Sequence, residues 1–161
     1  LPEAQVDRFM IKTVITYPQF EAERMILRNS INQTFPKIEK VISIQELLDA
    51  RETVHPVHLP EQTEKYILDI IFATRFPDKV GLEKLVPMIS FGSSPRGSIN
   101  LAQASKVYAF LRKRAYVIPD DVRAMAKDVL RHRIGISYEA EAENVTPEEI
   151  IDNILNVVPV P

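Results

Sequence analysis

Gly92-Ser93-Ser94-Pro95-Arg96-Gly97-Ser98 is the stretch on which the reading of this chain turns. Ser followed by Pro marks a helix start. The hydroxyl accepts from an otherwise free backbone N–H, and Pro at the first helical position gives up no hydrogen bond. With Ser94 as the cap, Leu101, Ala104, Tyr108 and Leu111 fall on one stripe of the helix. Arg112-Lys113-Arg114 then closes it with cations suited to the negative end of the dipole. Arg96 lies in the first turn, where a cation faces the positive end and is disfavoured by roughly 0.3–1 kcal/mol. Outward N–H groups beside a guanidinium make an anion site well matched to phosphate. A solvated arginine, or one paired with a local carboxylate, is the plainer alternative. Gly92 and Gly97 have the glycine spacing of a P-loop, but Ser98-Ile99 stands where Lys-Ser/Thr is required. Pro95 also removes a donor from the would-be cradle. No Walker A motif is read here, and none occurs elsewhere in the chain.

Outward from this helix the chain reads as mainly α. Ser43-Ile-Gln-Glu46 is a capping box before Leu47 and Leu48, ended by Pro56. Pro60-Glu61 opens a helix whose face carries Tyr66, Ile67, Ile70 and Ile71, closed by Pro77 and Gly81. Pro119-Asp120-Asp121 starts another, buried through Val122, Met125, Val129 and Leu130. Thr146-Pro147-Glu148-Glu149 is a second capping box, followed by Ile150, Ile151, Ile154, Leu155 and Val158. Phe9–Ile15 is apolar and β-branched and predicts a short strand. Residues 76–91 read as a long loop, and Glu139-Ala-Glu141-Ala-Glu143 as a solvated acidic loop. The one boundary expected lies near Pro18.

Bulk composition narrows the function classes. The chain has 161 residues, 45% hydrophobic and 26% charged, an ordinary globular composition. A net charge of -2, from 20 basic and 22 acidic residues, argues against nucleic-acid binding. With no cysteine, disulfides and thiolate metal sites are excluded. No apolar run has the length of a membrane helix. A cytoplasmic protein is expected. His55-Pro56-Val57-His58 lacks a third metal ligand, and Arg131-His132-Arg133 reads as a helix end whose cations suit the dipole.

Five segments in order carry a family resemblance. Leu1-Pro2-Glu3-Ala4-Gln5-Val6-Asp7-Arg8-Phe9 resembles the segment after sensor 1 in MoxR-type AAA+ ATPases. Ala73-Thr74-Arg75, Gly92-Ser93-Ser94-Pro95-Arg96, Tyr116-Val117-Ile118-Pro119-Asp120-Asp121-Val122 and Val129-Leu130-Arg131-His132-Arg133 look like the lid motifs of that family. The resemblance implies an AAA+ lid helical bundle (residues 18–161) preceded by a strand left over from the α/β nucleotide-binding core (residues 1–17). It implies that Arg8 is an arginine finger, reaching a neighbouring subunit's γ-phosphate, and that Arg96 is the sensor-2 arginine on ATP phosphate. For Arg8 the alternative is an ion pair with Asp7, Glu3 or another carboxylate.

The chain opens without an initiator Met, as a piece of a longer protein would. Walker A, Walker B, sensor 1 and the magnesium site are expected upstream of Leu1, so this piece alone should not hydrolyse ATP. Without its sheet, the Phe9–Ile15 strand should fray. The resemblance further implies a homo-oligomeric, hexameric ring acting as a chaperone or remodeller. Its client would be a partner complex, often with a von Willebrand A-domain protein. A free-standing helical adaptor binding a partner helix is the second reading.

Overall fold

A computed structural model describes residues 2–161, so that Leu1, the first residue of the opening motif, lies outside the described residues. The chain divides into two compact units. One comprises the residues up to Lys12 together with Glu52–Pro161; the other is Thr13–Arg51.

The larger unit is a helical bundle. After the short α1 (Glu3–Val6) come α4 (Glu61–Arg75), α5 (Pro95–Leu111), α6 (Pro119–Leu130), α7 (Tyr138–Ala142) and α8 (Pro147–Val157), while α2 (Phe20–Ile31) and most of α3 (Ile44–Val54) belong to the smaller unit. The helices begin where local capping chemistry puts them. Ser94 Oγ accepts from Arg96 N at 3.2 Å, ahead of Pro95 at the first helical position. Thr146 Oγ1 accepts from Glu149 N at 3.2 Å, and Glu149 Oε2 accepts from Thr146 N at 2.7 Å, closing the capping box. Glu149 is thereby held below the usual carboxylate range, chiefly by the backbone N–H of Thr146.

The apolar stripes meet, except that Leu111 at the end of the α5 stripe is 70% exposed and Met125 of α6 is only partly buried. Tyr66, Ile70 and Ile71 of α4, Leu101 of α5, Val122, Val129 and Leu130 of α6, and Ile150 and Ile154 of α8 are all at most 1% exposed and form one core. α4 packs on α5, α6 and α8, and α5 on α6. Tyr66 turns its hydroxyl to Arg123 Nη1 at 3.2 Å, so the one polar atom of this buried ring is satisfied.

Three expectations change. Phe9–Ile15 forms no strand, and residues 11–19 have no regular structure. A β-branched run becomes a strand only beside an edge that pairs with it. The carbonyls of Phe9, Met10 and Lys12 are instead taken by the side chains of Arg133 and Arg131. The sheet that does form lies elsewhere: β1 (Ile89–Phe91) pairs antiparallel with β2 (Gly135–Ile136). It lies partly in the stretch read as a loop, which also contains 3-10 turns at Pro77–Val80 and Glu83–Leu85, with Gly81 at φ +79° capping the first. The acidic run is not a loop either. Ser137 Oγ accepts from Ala140 N at 3.2 Å and starts α7, whose glutamates face solvent while Ala140 is buried.

In the smaller unit neither α2 nor α3 buries a residue. Ile15, Tyr17, Ile38 and Val41 are 92%, 95%, 95% and 96% exposed. Ser43 and Glu46 nevertheless complete the expected capping box.

Candidate functional site

Two sequence motifs meet at the end of α4. Ser93 N donates to the buried Thr74 Oγ1 at 2.9 Å, and Arg75 Nε donates to Ser93 O at 2.6 Å. This contact places the Gly92–Arg96 segment. A Cβ on Gly92 would lie 2.5 Å from the carbonyl oxygen of Thr74, and one on Gly97 would lie 2.0 Å from Ser93 Oγ. The glycines are spaced for close approach of chain to chain, which accounts for P-loop spacing without P-loop chemistry.

The start of α5 faces the Asp7 carboxylate. Ser94 Oγ donates to its two oxygens at 2.9 and 3.1 Å while accepting from Arg96 N. Arg96 Nε lies 3.8 Å from Asp7 Oδ2, and its side chain is 53% exposed. From the other side Arg133 Nε comes within 3.2 Å of Asp7 Oδ1. This is an ion-pair distance, but the N–H is not aimed well enough to count as a hydrogen bond. Ala4, Asp7, Phe91, Ser94, His132 and Arg133 line an open cavity of about 450 Å3 here.

Arg133 is the fixed member of the cluster. Its side chain is 0% exposed. It donates to the carbonyls of Asp7 at 2.9 Å and Met10 at 3.2 Å, and to those of Phe9 and Val129. Burial lowers its pKa below the ordinary arginine value; the Asp7 carboxylate opposes this, while Arg96 adds a further lowering push. Arg131 continues the anchor, donating to Lys12 O at 2.7 Å and pairing with Asp128 at 2.9 Å and Glu148 at 3.0 Å. The Arg-His-Arg segment is therefore more than a cationic helix end. It grips the backbone from Asp7 to Lys12.

His132 sits in that grip with conflicting neighbours. Its Nε2 is 3.0 Å from Phe9 O, which only accepts, and 2.7 Å from Arg133 Nη1, which only donates. A neutral ring can satisfy one of the two, and buried Nδ1 has no partner among the described residues. Burial pushes the imidazole pKa below 6.5; the Phe9 carbonyl opposes this, Arg133 and Lys12 reinforce it, and Asp7 opposes it. The folded pKa lies below the unfolded one. The unfolded chain therefore takes up more protons between the two values. This contribution to stability is complete above pH 6.5 and falls as the pH descends toward the folded value. His132→Gln should flatten the decline of urea-denaturation stability below pH 6.5. An unchanged slope in the variant would show that His132 is not its source.

Of the two arginines singled out from sequence, Arg96 is in the cluster and Arg8 is not. Arg8 is exposed, its backbone N donates to Gln5 O at 3.2 Å, and its side chain has no partner among the described residues. Asp7, its neighbour in sequence, pairs with Arg96 and Arg133 instead. Asp7 and Arg133 escape a sequence reading, since Asp7 is 87 residues from Ser94 and no local pattern connects them.

An AAA lid is what this bundle and its α5 start define: residues 86–154 match the family model described as the AAA lid domain. Over its whole length the chain is 37% identical to Chaperone MoxR1 of Mycobacterium tuberculosis, covering 42% of that protein. It is 35% identical to the uncharacterized protein YeaC of Bacillus subtilis, covering 48% of it. A crystal structure of a candidate ATPase from Cytophaga hutchinsonii superposes with a TM-score of 0.93 at 42% identity, covering all of this chain and 49% of that one. The chain thus carries an AAA lid and is similar over its whole length to MoxR-type AAA+ proteins. It spans about half the length of the curated relatives it matches.

Proposed function

We propose that this chain is the C-terminal, lid-bearing part of an ATP-hydrolysing MoxR-type AAA+ protein, and that Arg96 is its sensor-2 arginine, coupling the phosphate state of bound nucleotide to lid position. The observation that carries this reading is the state of Arg96. Its guanidinium stands half in solvent at the first turn of α5, held among the described residues only by a 3.8 Å ion pair. Such a pair is worth about 0–1 kcal/mol, little enough for a phosphate to displace.

Arg8 is proposed as the arginine finger, directed at nucleotide on a neighbouring subunit of a homo-oligomeric ring. Its exposure and lack of a partner among the described residues suit that task. In this reading residues 1–17 end the nucleotide-binding core and 18–161 form the lid. The bare apolar surface of α2 and α3 fits a segment made to pack on the rest of the protein. ATP brings the scissile phosphate. Mg2+, like the Walker A and Walker B groups, is assigned to the rest of the protein. A cytoplasmic chaperone acting on partner complexes, with a von Willebrand A-domain protein as one partner, completes the proposal.

The test is Arg96→Ala in the full-length protein. Loss of one charge-assisted contact to phosphate, about 1.5–3 kcal/mol, should lower ATP turnover by about 10- to 100-fold. Circular dichroism should be unchanged, because the Arg96 side chain buries little. Unaltered turnover would remove the sensor role.

A further inference from the structure

The Asp7 carboxylate is shared by groups of very different mobility. Arg133 is wholly buried and tied to four carbonyls, so it stays in place. Ser94 Oγ is fixed by the helix it caps. Arg96 has a half-exposed side chain and the longest contact of the three. The charge count is also unequal. Two guanidiniums and the positive end of α5 face a single carboxylate, with His132 held toward its neutral form and Lys12 nearby. Arg133 Nε, buried beside the cavity, has no well-aligned acceptor among the described residues. The cluster has room and charge for one more oxyanion.

Resting on the assignment of Arg96 to phosphate above, we infer that Asp7 is a positioning residue that parks Arg96, so that Arg96 is exchanged between the Asp7 carboxylate and the nucleotide phosphate. When phosphate takes Arg96, Asp7 remains on Arg133 and Ser94. When phosphate leaves, Asp7 takes the guanidinium back. The parked state competes directly with the bound state. Because Arg8 follows Asp7 in the chain, the same carboxylate connects the sensor arginine to the backbone that carries the candidate finger.

The experiment is a titration of the 161-residue chain with inorganic pyrophosphate, followed through the amide resonances of Arg96, Gly97 and Ser98. It is run on the wild type, Asp7→Asn, Asp7→Glu, Arg96→Ala and the Asp7→Asn/Arg96→Ala double variant. Asn keeps one oxygen for Ser94 while removing the charge and the second acceptor oxygen. Asp7→Asn is expected to bind about two- to fivefold more tightly, the range an exposed ion pair commands. Asp7→Glu should bind like the wild type, and the gain should vanish when Arg96 is absent. If Arg96→Ala leaves binding unchanged, the phosphate role of Arg96 falls, and this inference with it. If Arg96→Ala abolishes binding but Asp7→Asn binds no more tightly than the wild type, the phosphate role stands and the parking role is overturned. Tightening by Glu as well as Asn would trace the effect to a loosened segment and overturn it too. So would an absence of binding in every variant.

Discussion

Arg133→Met should destabilise the larger unit by about 3–5 kcal/mol, the cost of removing one partner from a buried charge network. The substitution keeps an unbranched apolar stem and removes the guanidinium with its donors. The carbonyls of Asp7, Phe9, Met10 and Val129 each lose an N–H, and the Asp7 carboxylate loses its buried partner. Methionine fills most of the space, so the loss is chiefly one of polar satisfaction rather than of packing. Urea denaturation should show a lower midpoint with the same slope, and hydrogen exchange should quicken at residues 8–12 before the core of α4 and α6 is affected. Arg133→Lys should fall between, because an ammonium cannot present the forked donors that several carbonyls share. A loss under about 1 kcal/mol would show that water replaces these bonds freely.

The second large effect is expected at Asp121. Its side chain is 1% exposed, and both its oxygens are engaged by Arg114, one of them at 2.7 Å from Nη1. The carboxylate also accepts from Ile118 N at 2.9 Å, so it caps α6 while it pairs. The side-chain bond to Asp121 raises the pKa of Arg114 above its ordinary value, which keeps the guanidinium charged throughout the accessible range. Asp121→Ala removes the partner, the cap and the acidic residue at the positive end of the helix together. A cost of about 3 kcal/mol is expected, at the lower end for a broken buried pair because Arg114 keeps some access to water. In a double-mutant cycle, Arg114→Met/Asp121→Ala should cost less than the sum of the single changes. Strict additivity would mean that the two side chains do not stabilise one another.

Each effect has a different standing in the sequence. Asp121 is legible as the third residue of a helix that opens Pro119-Asp120-Asp121, and its cap follows from that place alone. The partnership with Arg114 is seven residues away across a turn and emerges only on folding. Arg133 is misread from sequence in kind. A basic residue past the end of a helix suits the dipole, and nothing local distinguishes a solvated cation from a buried one. The distinction comes from Asp7, Phe9 and Met10, which lie more than a hundred residues earlier.

The sequence by itself determined where the helices start and which faces they bury. Ser94-Pro95, Thr146-Pro147 and Ser43 through Glu46 act within three or four residues, so their outcome needs no tertiary partner. The stripes of α4, α6 and α8 report burial because only one face of a helix can be turned inward. The order of the motifs also carried the family. Tertiary structure alone decided what required a partner from far along the chain. Phe9–Ile15 has the composition of a strand and no edge to pair with, so arginine side chains satisfy its carbonyls instead. The meeting of Asp7 with Ser94, Arg96 and Arg133 was likewise set by packing. An ion pair depends on distance in space, and distance along the chain does not predict it.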